Sequence, residues 1–169
     1  MILCVFPGVG KTHVYEKMNP NGLILDSDSS TFPKDGFPQN YIDHIKAHMD
    51  THTMLVSTHQ TVRDALVANG LSFSIVCPAM ECKEEYKQRY LNRQGFNGGE
   101  KFAQLIDTNW DAWVGSCLDR TNGANTIYEM GPNAYLSHAW EDIMERENHP
   151  FIVSVPGQAN MYRFDYQSA

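Results

Sequence analysis

The first twelve residues join a short apolar strand to a glycine-rich turn and then to a helix. Residues 2–6 form a continuous apolar run, and residues 7–12 follow it with the order Pro-Gly-Val-Gly-Lys-Thr. Because glycine adopts backbone conformations that other residues avoid, Gly8 and Gly10 allow successive backbone N–H groups to turn inward around an anion. The strand, the turn and the helix in this order predict that residues 7–12, here called the glycine loop, bind phosphate groups.

The side chains of the glycine loop suit a nucleoside triphosphate with Mg²⁺. The Lys11 ammonium is predicted to reach the β- and γ-phosphates, and the Thr12 hydroxyl to bind Mg²⁺. The usual motif has a glycine where this chain has Val5. The alternative interpretation is an ordinary glycine turn beside a solvated lysine. The residues predicted to contact the nucleotide are Gly8, Val9, Gly10, Lys11, Thr12 and His13.

Short apolar runs alternate with longer amphipathic stretches along the rest of the chain. This alternation predicts an α/β fold with right-handed crossovers, in which a central parallel sheet of about five strands has helices on both faces. Strands are predicted at residues 2–6, 23–26, 53–57, 72–77 and 126–130, and helices at 11–18, 41–49, 60–69, 81–94, 102–117 and 135–145. Residues 151–155 and 161–166 are predicted to form an edge hairpin.

Size and composition predict a single domain over residues 1–169. The formal net charge of −7 argues against a stable complex with nucleic acid. No apolar run approaches the roughly 20 residues of a membrane span, and the N-terminus lacks the basic flank of a signal peptide. The four cysteines lie mostly within apolar runs, which predicts buried thiols and a cytoplasmic location.

Two carboxylates follow the second predicted strand. Asp26 closes its apolar run, and Asp28 comes two residues later. Because parallel strands have their carboxyl ends at one edge of the sheet, both should lie beside the glycine loop. Asp26 is predicted to bind Mg²⁺ directly or through water, and Asp28 to orient an acceptor or to take the proton of an acceptor hydroxyl. The structural alternative is that one of them caps the turn containing Ser29 and Ser30.

Three arginines are candidates for contact with transferring phosphates. Arg63, one turn into the helix after the third strand, is predicted to clamp an acceptor phosphate, although a solvated helix arginine is the alternative. Arg89 and Arg93 lie four residues apart on one helix face. Residues 83–101 are predicted to form a mobile lid whose arginines cover the phosphoryl group, with residues 95–99 as a flexible tip. The alternative is an ion-paired surface helix.

Aromatic residues cluster in two places. Phe32, Phe37 and Tyr41 flank the loop after the acid pair, where they either stack on a base or form core beneath the loop. Trp110 and Trp113 lie on the apolar face of a predicted helix and are expected to belong to the core.

With these motifs the sequence resembles the P-loop kinases of the nucleoside-monophosphate-kinase type, and small phage-encoded deoxynucleotide kinases in particular. The resemblance covers most of residues 1–140. It implies a P-loop NTPase-type three-layer sandwich, ATP and Mg²⁺ as phosphate donor, a nucleotide acceptor bound by residues 29–52 and a lid at 83–101. Residues 146–169 have no counterpart in it. The segments that carry it are residues 6–12, 25–30, 55–59 with Arg63, and 86–93 with 109–111.

The predicted reaction is transfer of the γ-phosphoryl group of ATP to a (deoxy)nucleoside monophosphate. The predicted catalytic side chains are Lys11, Asp28, Arg63, Arg89 and Arg93. One alternative is a kinase for a hydroxyl acceptor, such as a nucleoside, a polynucleotide end or a small metabolite, with Asp28 as the base. Another is an ATP-binding module without transfer activity. The base and sugar of the acceptor stay open, as does the choice between monomer and homodimer.

Overall fold

The computed structural model describes residues 1–93, 98–149 and 155–166. Six strands lie within these ranges, and they form one sheet in which every pair of neighbours is parallel. This confirms the α/β class and the parallel sheet that the alternating pattern predicts. The strands are β1 (Ile2–Val5), β2 (Ile24–Asp26), β3 (Thr53–Val56), β4 (Ser74–Pro78), β5 (Thr126–Met130) and β6 (Asn160–Phe164).

The strand order is β2-β3-β1-β4-β5-β6, so β1 lies inside the sheet between β3 and β4. Leu3 of β1 pairs with Leu55 on one side and with Ser74 on the other. On the next strand pair, Asp26 at the end of β2 pairs with Leu55 of β3. The carboxyl ends of β1 and β2 therefore lie at the same edge of the sheet, with only β3 between them.

Six helices pack around the sheet in the described parts of the chain. α1, α2, α3 and α6 each follow one strand, whereas α4 and α5 both lie in the connection between β4 and β5. None of these helices is both long and apolar enough to cross a membrane. The helices are α1 (Lys11–Lys17), α2 (Gln39–His48), α3 (Gln60–Ala68), α4 (Lys83–Leu91), α5 (Gly99–Leu118) and α6 (Leu136–Asn148).

The predicted helix over residues 81–94 is shorter in the structure. A 3₁₀ turn at Met80–Cys82 precedes α4, and α4 ends at Leu91. Its buried residues are Tyr86 and Tyr90, which lie one turn apart on a single face. The sequence of this helix is largely polar, but burial of these two tyrosines fixes the orientation of the helix.

The C-terminal segment adds a sixth strand to the sheet, where the sequence predicts an arm of an edge hairpin. β6 pairs in parallel with β5, with Tyr162 opposite Tyr128 and their rings stacked at 6.1 Å between centroids. The Arg146 guanidinium of α6 lies 3.8 Å from the centroid of the Tyr162 ring. The second arm of the predicted hairpin is thus a parallel strand, and residues 151–154 of its first arm lie outside the described residues.

The core lies on both faces of the central strands. All four residues of β1 are buried, as is all of β4. The four cysteines are free and buried, as predicted. Trp110 is buried and its indole Nε1 donates a hydrogen bond to the Met80 carbonyl at 2.8 Å. Trp113 is only partly buried, because it lies at the wall of a cavity described below.

Candidate functional site

The glycine loop connects β1 to α1 at the carboxyl edge of the sheet. Gly8 has φ of 87° and Gly10 has φ of 110°, a backbone region that other residues rarely adopt. A Cβ on Gly8 would lie 3.1 Å from the Tyr90 ring and 3.2 Å from the Tyr86 ring. Gly8 is therefore required both by its conformation and by the close approach of α4. Val5, where the usual motif has glycine, lies inside β1 and pairs with Val76.

The carbonyl groups of the glycine loop are engaged by the surrounding protein. The Gly8 carbonyl accepts from Arg89 Nη1 at 2.9 Å, and the Val9 carbonyl accepts from the Leu136 N–H at 2.9 Å. The Gly10 carbonyl accepts from the Val14 N–H at 3.2 Å. These three carbonyl oxygens already accept hydrogen bonds, and the Val9 N–H donates to the Phe6 carbonyl at 3.2 Å. The other backbone amides of the loop are what it can offer to an anion.

Lys11 and Asp26 form an ion pair at the edge of the sheet. Lys11 Nζ lies 2.9 Å from Asp26 Oδ1, and both side chains are about three-quarters buried or more. Asp26 Oδ1 has no partner with hydrogen-bond geometry among the described residues. The predicted juxtaposition of the loop lysine and the acid after β2 is thus present in the structure. Thr12 and His13, the next residues of α1, are exposed to the same cleft.

Asp28 caps the short 3₁₀ turn Ser29–Thr31. Its Oδ1 accepts a hydrogen bond from the Ser30 N–H at 2.9 Å. Partial burial raises the pKa of this carboxyl, but the hydrogen bonds from Ser30 and the charges of Lys11 and His59 lower the pKa below its ordinary value overall. Asp28 therefore caps this turn, which is the structural alternative that the sequence allowed, and its carboxylate also lines the cleft.

The backbone between the two acids is held by α2. The Tyr41 hydroxyl donates to the Ser27 carbonyl at 2.6 Å, and the Ser27 hydroxyl lies 3.0 Å from His44 Nε2. The Ser57 N–H of the neighbouring strand end lies 3.3 Å from the Tyr41 oxygen. Burial raises the pKa of Tyr41, so its hydroxyl stays protonated and donating. Tyr41 is therefore core, and it fixes the positions of Asp26 and Asp28.

Arg89 connects α4 to the glycine loop and to the segment that follows β5. Nη1 donates to the Gly8 carbonyl, and Nη2 donates to the Ala134 carbonyl at 3.0 Å and to Glu85 Oε2 at 2.9 Å. The guanidinium lies 3.7 Å from the centroid of the Tyr135 ring. Nε is buried without a hydrogen-bond partner among the described residues. The arginine predicted to cover a phosphoryl group thus also anchors α4.

Replacing Arg89 by alanine is expected to weaken ATP binding about tenfold. The variant loses three charge-assisted hydrogen bonds, and the Gly8 carbonyl loses the donor that orients it. Titration of the protein with Mg²⁺-ATP measures the Kd, and steady-state kinetics separates kcat from KM. A loss mainly in kcat would instead assign Arg89 to the transferring phosphoryl group. Lys87→Ala on the same helix, whose partner is Asp107, is the control and should bind ATP normally.

Arg63 lines a second cavity, described below, and does not line the cleft that contains Lys11. It is 2% exposed. Its Nε donates to the Thr58 carbonyl at 2.9 Å, Nη1 to the Ser116 carbonyl at 3.2 Å, and Nη2 to Gln60 Oε1 and Ser116 Oγ at 3.0 and 2.7 Å. The guanidinium is buried, so Arg63 is not a solvated helix arginine. Most of its N–H groups donate to protein acceptors, so the guanidinium is not open to clamp an acceptor phosphate.

The other residues of the predicted lid are only partly described. Arg93 follows α4 and lines the same cleft as Lys11. Residues 95–97 of the predicted tip lie outside the described residues. The covering motion of residues 83–101 stays a prediction, although α4 itself is fixed to the glycine loop by Arg89 and by its two buried tyrosines.

Two adjoining cavities open at the carboxyl edge of the sheet. The first, called the loop cleft, has a volume of about 860 Å³ and runs from the glycine loop past the acid pair to α4. The residues that line it include Gly8, Gly10, Lys11, Thr12, His13, Asp26, Asp28, Arg89, Arg93, Asn133 and Tyr135.

The second, called the aromatic cavity, has a volume of about 720 Å³. Phe32 and Phe37, from the segment after β2, line this cavity together with Phe102 and Trp113 of α5. Phe32, Phe37 and residues 29, 30 and 34 come from the predicted acceptor region. The residues that line both cavities are Phe6, Pro7, Ser29, Ser30, Ser57 and His59.

Sequence reasoning missed the parts of both cavities that come from distant elements. Asn133 and Tyr135 follow β5, and the rule that sites lie at the carboxyl ends of parallel strands could have indicated them. Asn133 has φ of 62°, unusual for a residue other than glycine. Phe102 and Trp113 carried no such signal, because the apolar face of α5 predicts only core.

No group of three or more histidine, cysteine, aspartate or glutamate side chains arranged for a metal ion occurs in residues 1–93, 98–149 and 155–166. Mg²⁺, however, needs few protein oxygens, since it keeps several waters and binds substrate phosphates. The Asp26 carboxylate, with its buried Oδ1, and the Thr12 hydroxyl are hard oxygen donors of this kind. These residues fit a magnesium ion held jointly with a bound phosphate.

Comparisons with known proteins add little to this geometry. No protein-family model matches the chain, and no curated protein sequence matches it. Among solved structures, the chain is similar to an uncharacterized protein from Eubacterium ventriosum ATCC 27560, at 12% sequence identity and a TM-score of 0.47. The match covers 86% of this chain and 96% of that one. The case for a function therefore rests on the residues of the loop cleft and the aromatic cavity.

Proposed function

We propose that this protein transfers the γ-phosphoryl group of Mg²⁺-ATP to an acceptor held in the aromatic cavity. One observation carries the proposal: Lys11 of the glycine loop meets Asp26 at 2.9 Å, beside a loop whose carbonyls are bonded to surrounding residues. This arrangement lies at the carboxyl edge of a parallel sheet, where such folds bind ligands. The strand order and the loop after β1 support a P-loop NTPase-type three-layer sandwich as part of the same proposal.

In this scheme the chain neutralises and aligns the phosphates. Backbone amides of the glycine loop bind the β-phosphate, and Lys11 leaves Asp26 to contact the β- and γ-phosphate oxygens. Arg93, which lines the same cleft, would meet the negative charge that develops on the transferring group, while Arg89 orients the Gly8 carbonyl of the glycine loop. Mg²⁺, held by Thr12 and Asp26, would neutralise phosphate charge. The released Asp26 carboxylate then has a new cationic partner in place of Lys11.

The aromatic cavity supports an acceptor with a flat ring. Its wall contains four phenylalanines and a tryptophan, and it joins the loop cleft through the six shared residues. Aromatic side chains stack favourably on planar rings. The family resemblance favours a (deoxy)nucleoside monophosphate, and the placement of Arg63 and Asp28 favours a hydroxyl acceptor. The same proposal includes a phage origin, which the family resemblance implies, and a cytoplasmic location, where nucleotide metabolism takes place.

The test is ATP binding and ATP-to-ADP turnover with purified full-length protein and Mg²⁺. We expect micromolar ATP binding, and a rate of ADP formation at least about a hundredfold above background with one acceptor in a panel of nucleosides and nucleoside monophosphates. A protein that binds no ATP would contradict the proposal. Binding without turnover on any acceptor would instead support the alternative, a nucleotide-binding module without transfer activity.

A further inference from the structure

We propose that the aromatic cavity binds an uncharged, nucleoside-like alcohol, and that Asp28 accepts the proton of its hydroxyl group. This inference rests on the proposed function, because it needs ATP in the loop cleft. The resemblance to nucleoside-monophosphate kinases implies a phosphate acceptor, whereas this inference assigns a hydroxyl acceptor. Four properties of the described residues carry it: the charge of the cavity, the chemistry of its junction with the loop cleft, the position of Asp28 and the aromatic wall.

The cations of the aromatic cavity are poorly placed to bind a phosphate. Among the described residues that line it, Lys34, Arg63 and the titratable His59 are the basic ones. Arg63 makes four hydrogen bonds to Thr58, Gln60 and Ser116, so its fork is not open to two oxygens of an acceptor. Lys34 is exposed, and its charge is screened by water. A phosphate dianion would find no preformed bidentate partner here.

The junction between the two cavities is polar but carries little positive charge. Ser29, Ser30 and Ser57 line both cavities, together with His59 and two residues of the chain after β1. Hydroxyl groups donate and accept hydrogen bonds without a net charge. A junction of this kind matches the hydroxyl groups of a sugar or alcohol. An acceptor phosphate at the same place would also face the Asp28 carboxylate, which repels it.

Asp28 is held ready to accept a proton. Its Oδ1 is fixed by the Ser30 N–H at 2.9 Å, and the preceding backbone is fixed by the bond from the Tyr41 hydroxyl to the Ser27 carbonyl. An aspartate carboxyl group is ordinarily ionised at neutral pH. Asp28 lines the loop cleft together with the junction residues Ser29, Ser30 and Ser57.

The aromatic wall of the cavity indicates that the acceptor contains a planar ring as well as a hydroxyl group. Phe32 packs on Tyr41 at 4.9 Å between ring centroids, and Phe102 packs on Tyr90 at 4.1 Å. Two of the rings that line the cavity, Phe32 and Phe102, are thus each held by contact with a buried tyrosine. Supported rings of this kind suit the stacking of a planar ring. The acceptor that combines a planar ring, a hydroxyl and no charge is a nucleoside or a close relative of one.

The step balances as a simple transfer. The acceptor oxygen forms a bond to the γ-phosphorus while the bond from the γ-phosphorus to the β–γ bridging oxygen breaks. ADP leaves with that electron pair, and the acceptor's hydroxyl proton passes to the Asp28 carboxylate and then to solvent. The products are a phosphate monoester, ADP and one proton. Asp28 serves as a catalytic residue in this scheme, and Tyr41 and Ser30 as positioning residues.

The experiment measures transfer of radiolabelled phosphate from γ-labelled ATP by the full-length protein. The acceptors are four deoxynucleosides, their 5′-monophosphates and a single-stranded oligonucleotide with a free 5′-hydroxyl. We expect phosphate monoester products, and transfer to monophosphates at least about a hundredfold slower. Transfer to the oligonucleotide in preference to the free nucleosides would overturn the assignment of an uncharged acceptor. Transfer mainly to monophosphates, or to neither class while ATP binds, would overturn the inference.

The variant Asp28→Asn separates the base from the cap. Asparagine caps turns as well as aspartate does, so the bond from Ser30 and the fold should survive. We expect a loss of transfer between about 10² and 10⁴-fold with an unchanged ATP Kd. A loss below tenfold would contradict the role of Asp28 while leaving the proposed function intact. Failure of ATP binding in the unaltered protein would refute the proposed function itself. The control is Asp35→Asn, an exposed aspartate of the same segment outside both cavities.

Discussion

Replacing Lys11 by alanine is expected to lower the rate of phosphoryl transfer by about 10³-fold or more. The ammonium group is the one cation that the glycine loop itself supplies to the cleft, and its interaction strengthens as charge develops on the transferring group. Removal of a preorganised charge of this kind mainly lowers kcat. The same radiolabel assay measures the loss, with the best acceptor at saturating concentration.

The Lys11 variant should remain folded. The ion pair between Lys11 and Asp26 is largely buried, and its loss leaves Asp26 without that partner, so the free energy of unfolding should fall by roughly 1–3 kcal/mol. Urea denaturation checks this directly. Lys17→Ala, in the last turn of α1 and exposed, is the matched control and should keep its activity within about twofold. A Lys11→Ala protein that is folded and within tenfold of the normal rate would refute the scheme of the loop cleft.

The parts of the site that could be predicted from sequence are those built by residues close together in the chain. The glycine loop is one example, since its strand, turn and helix lie within residues 2–17 and its glycines have a local conformational cause. The approach of Asp26 to Lys11 is another, because the rule for parallel strands places both at one edge. Neither case requires knowledge of which distant side chains pack together.

The parts that escaped prediction depend on distant contacts. Arg63 bonds to Ser116, 53 residues away, and the helical pattern around Arg63 says nothing of that partner. Arg89 bonds to Gly8 across 81 residues. β6 has only five residues and an alternating burial pattern that a hairpin would share, so its parallel pairing with β5 could not be read from the strand alone. In each case the missing information is the tertiary partner.

Arg63→Ala is expected to lower the free energy of unfolding by about 3 kcal/mol or more. The guanidinium bonds two backbone carbonyls, those of Thr58 and Ser116, together with the Gln60 amide oxygen and the Ser116 hydroxyl. Alanine would leave the buried Thr58 carbonyl without this donor, at a cost of roughly 1–3 kcal/mol. The half-buried Ser116 hydroxyl would also lose a donor, whereas the Ser116 carbonyl keeps its bond from Asn122. The void left by the side chain adds to the loss.

Urea denaturation followed by circular dichroism measures this effect, and the melting temperature should fall by roughly 6–12 °C. Arg146→Ala is the matched control, because Arg146 is an exposed helix arginine whose contact is the Tyr162 ring, and its loss should cost about 1 kcal/mol or less. Arg63→Lys should retain only part of the stability, since a single ammonium cannot reach acceptors on α3 and α5 with the geometry of the fork.

Arg63→Ala, compared with its control Arg146→Ala, also decides whether Arg63 has a structural role or binds the acceptor. If Arg63 clamped an acceptor phosphate, Arg63→Ala would keep a near-normal stability and raise the acceptor KM by a large factor. The four hydrogen bonds predict the opposite order: a large loss of stability, with the residual folded protein binding ATP normally because Arg63 does not line the loop cleft. A stable Arg63→Ala protein with a raised acceptor KM would restore the phosphate clamp, and with it the nucleoside monophosphate as acceptor.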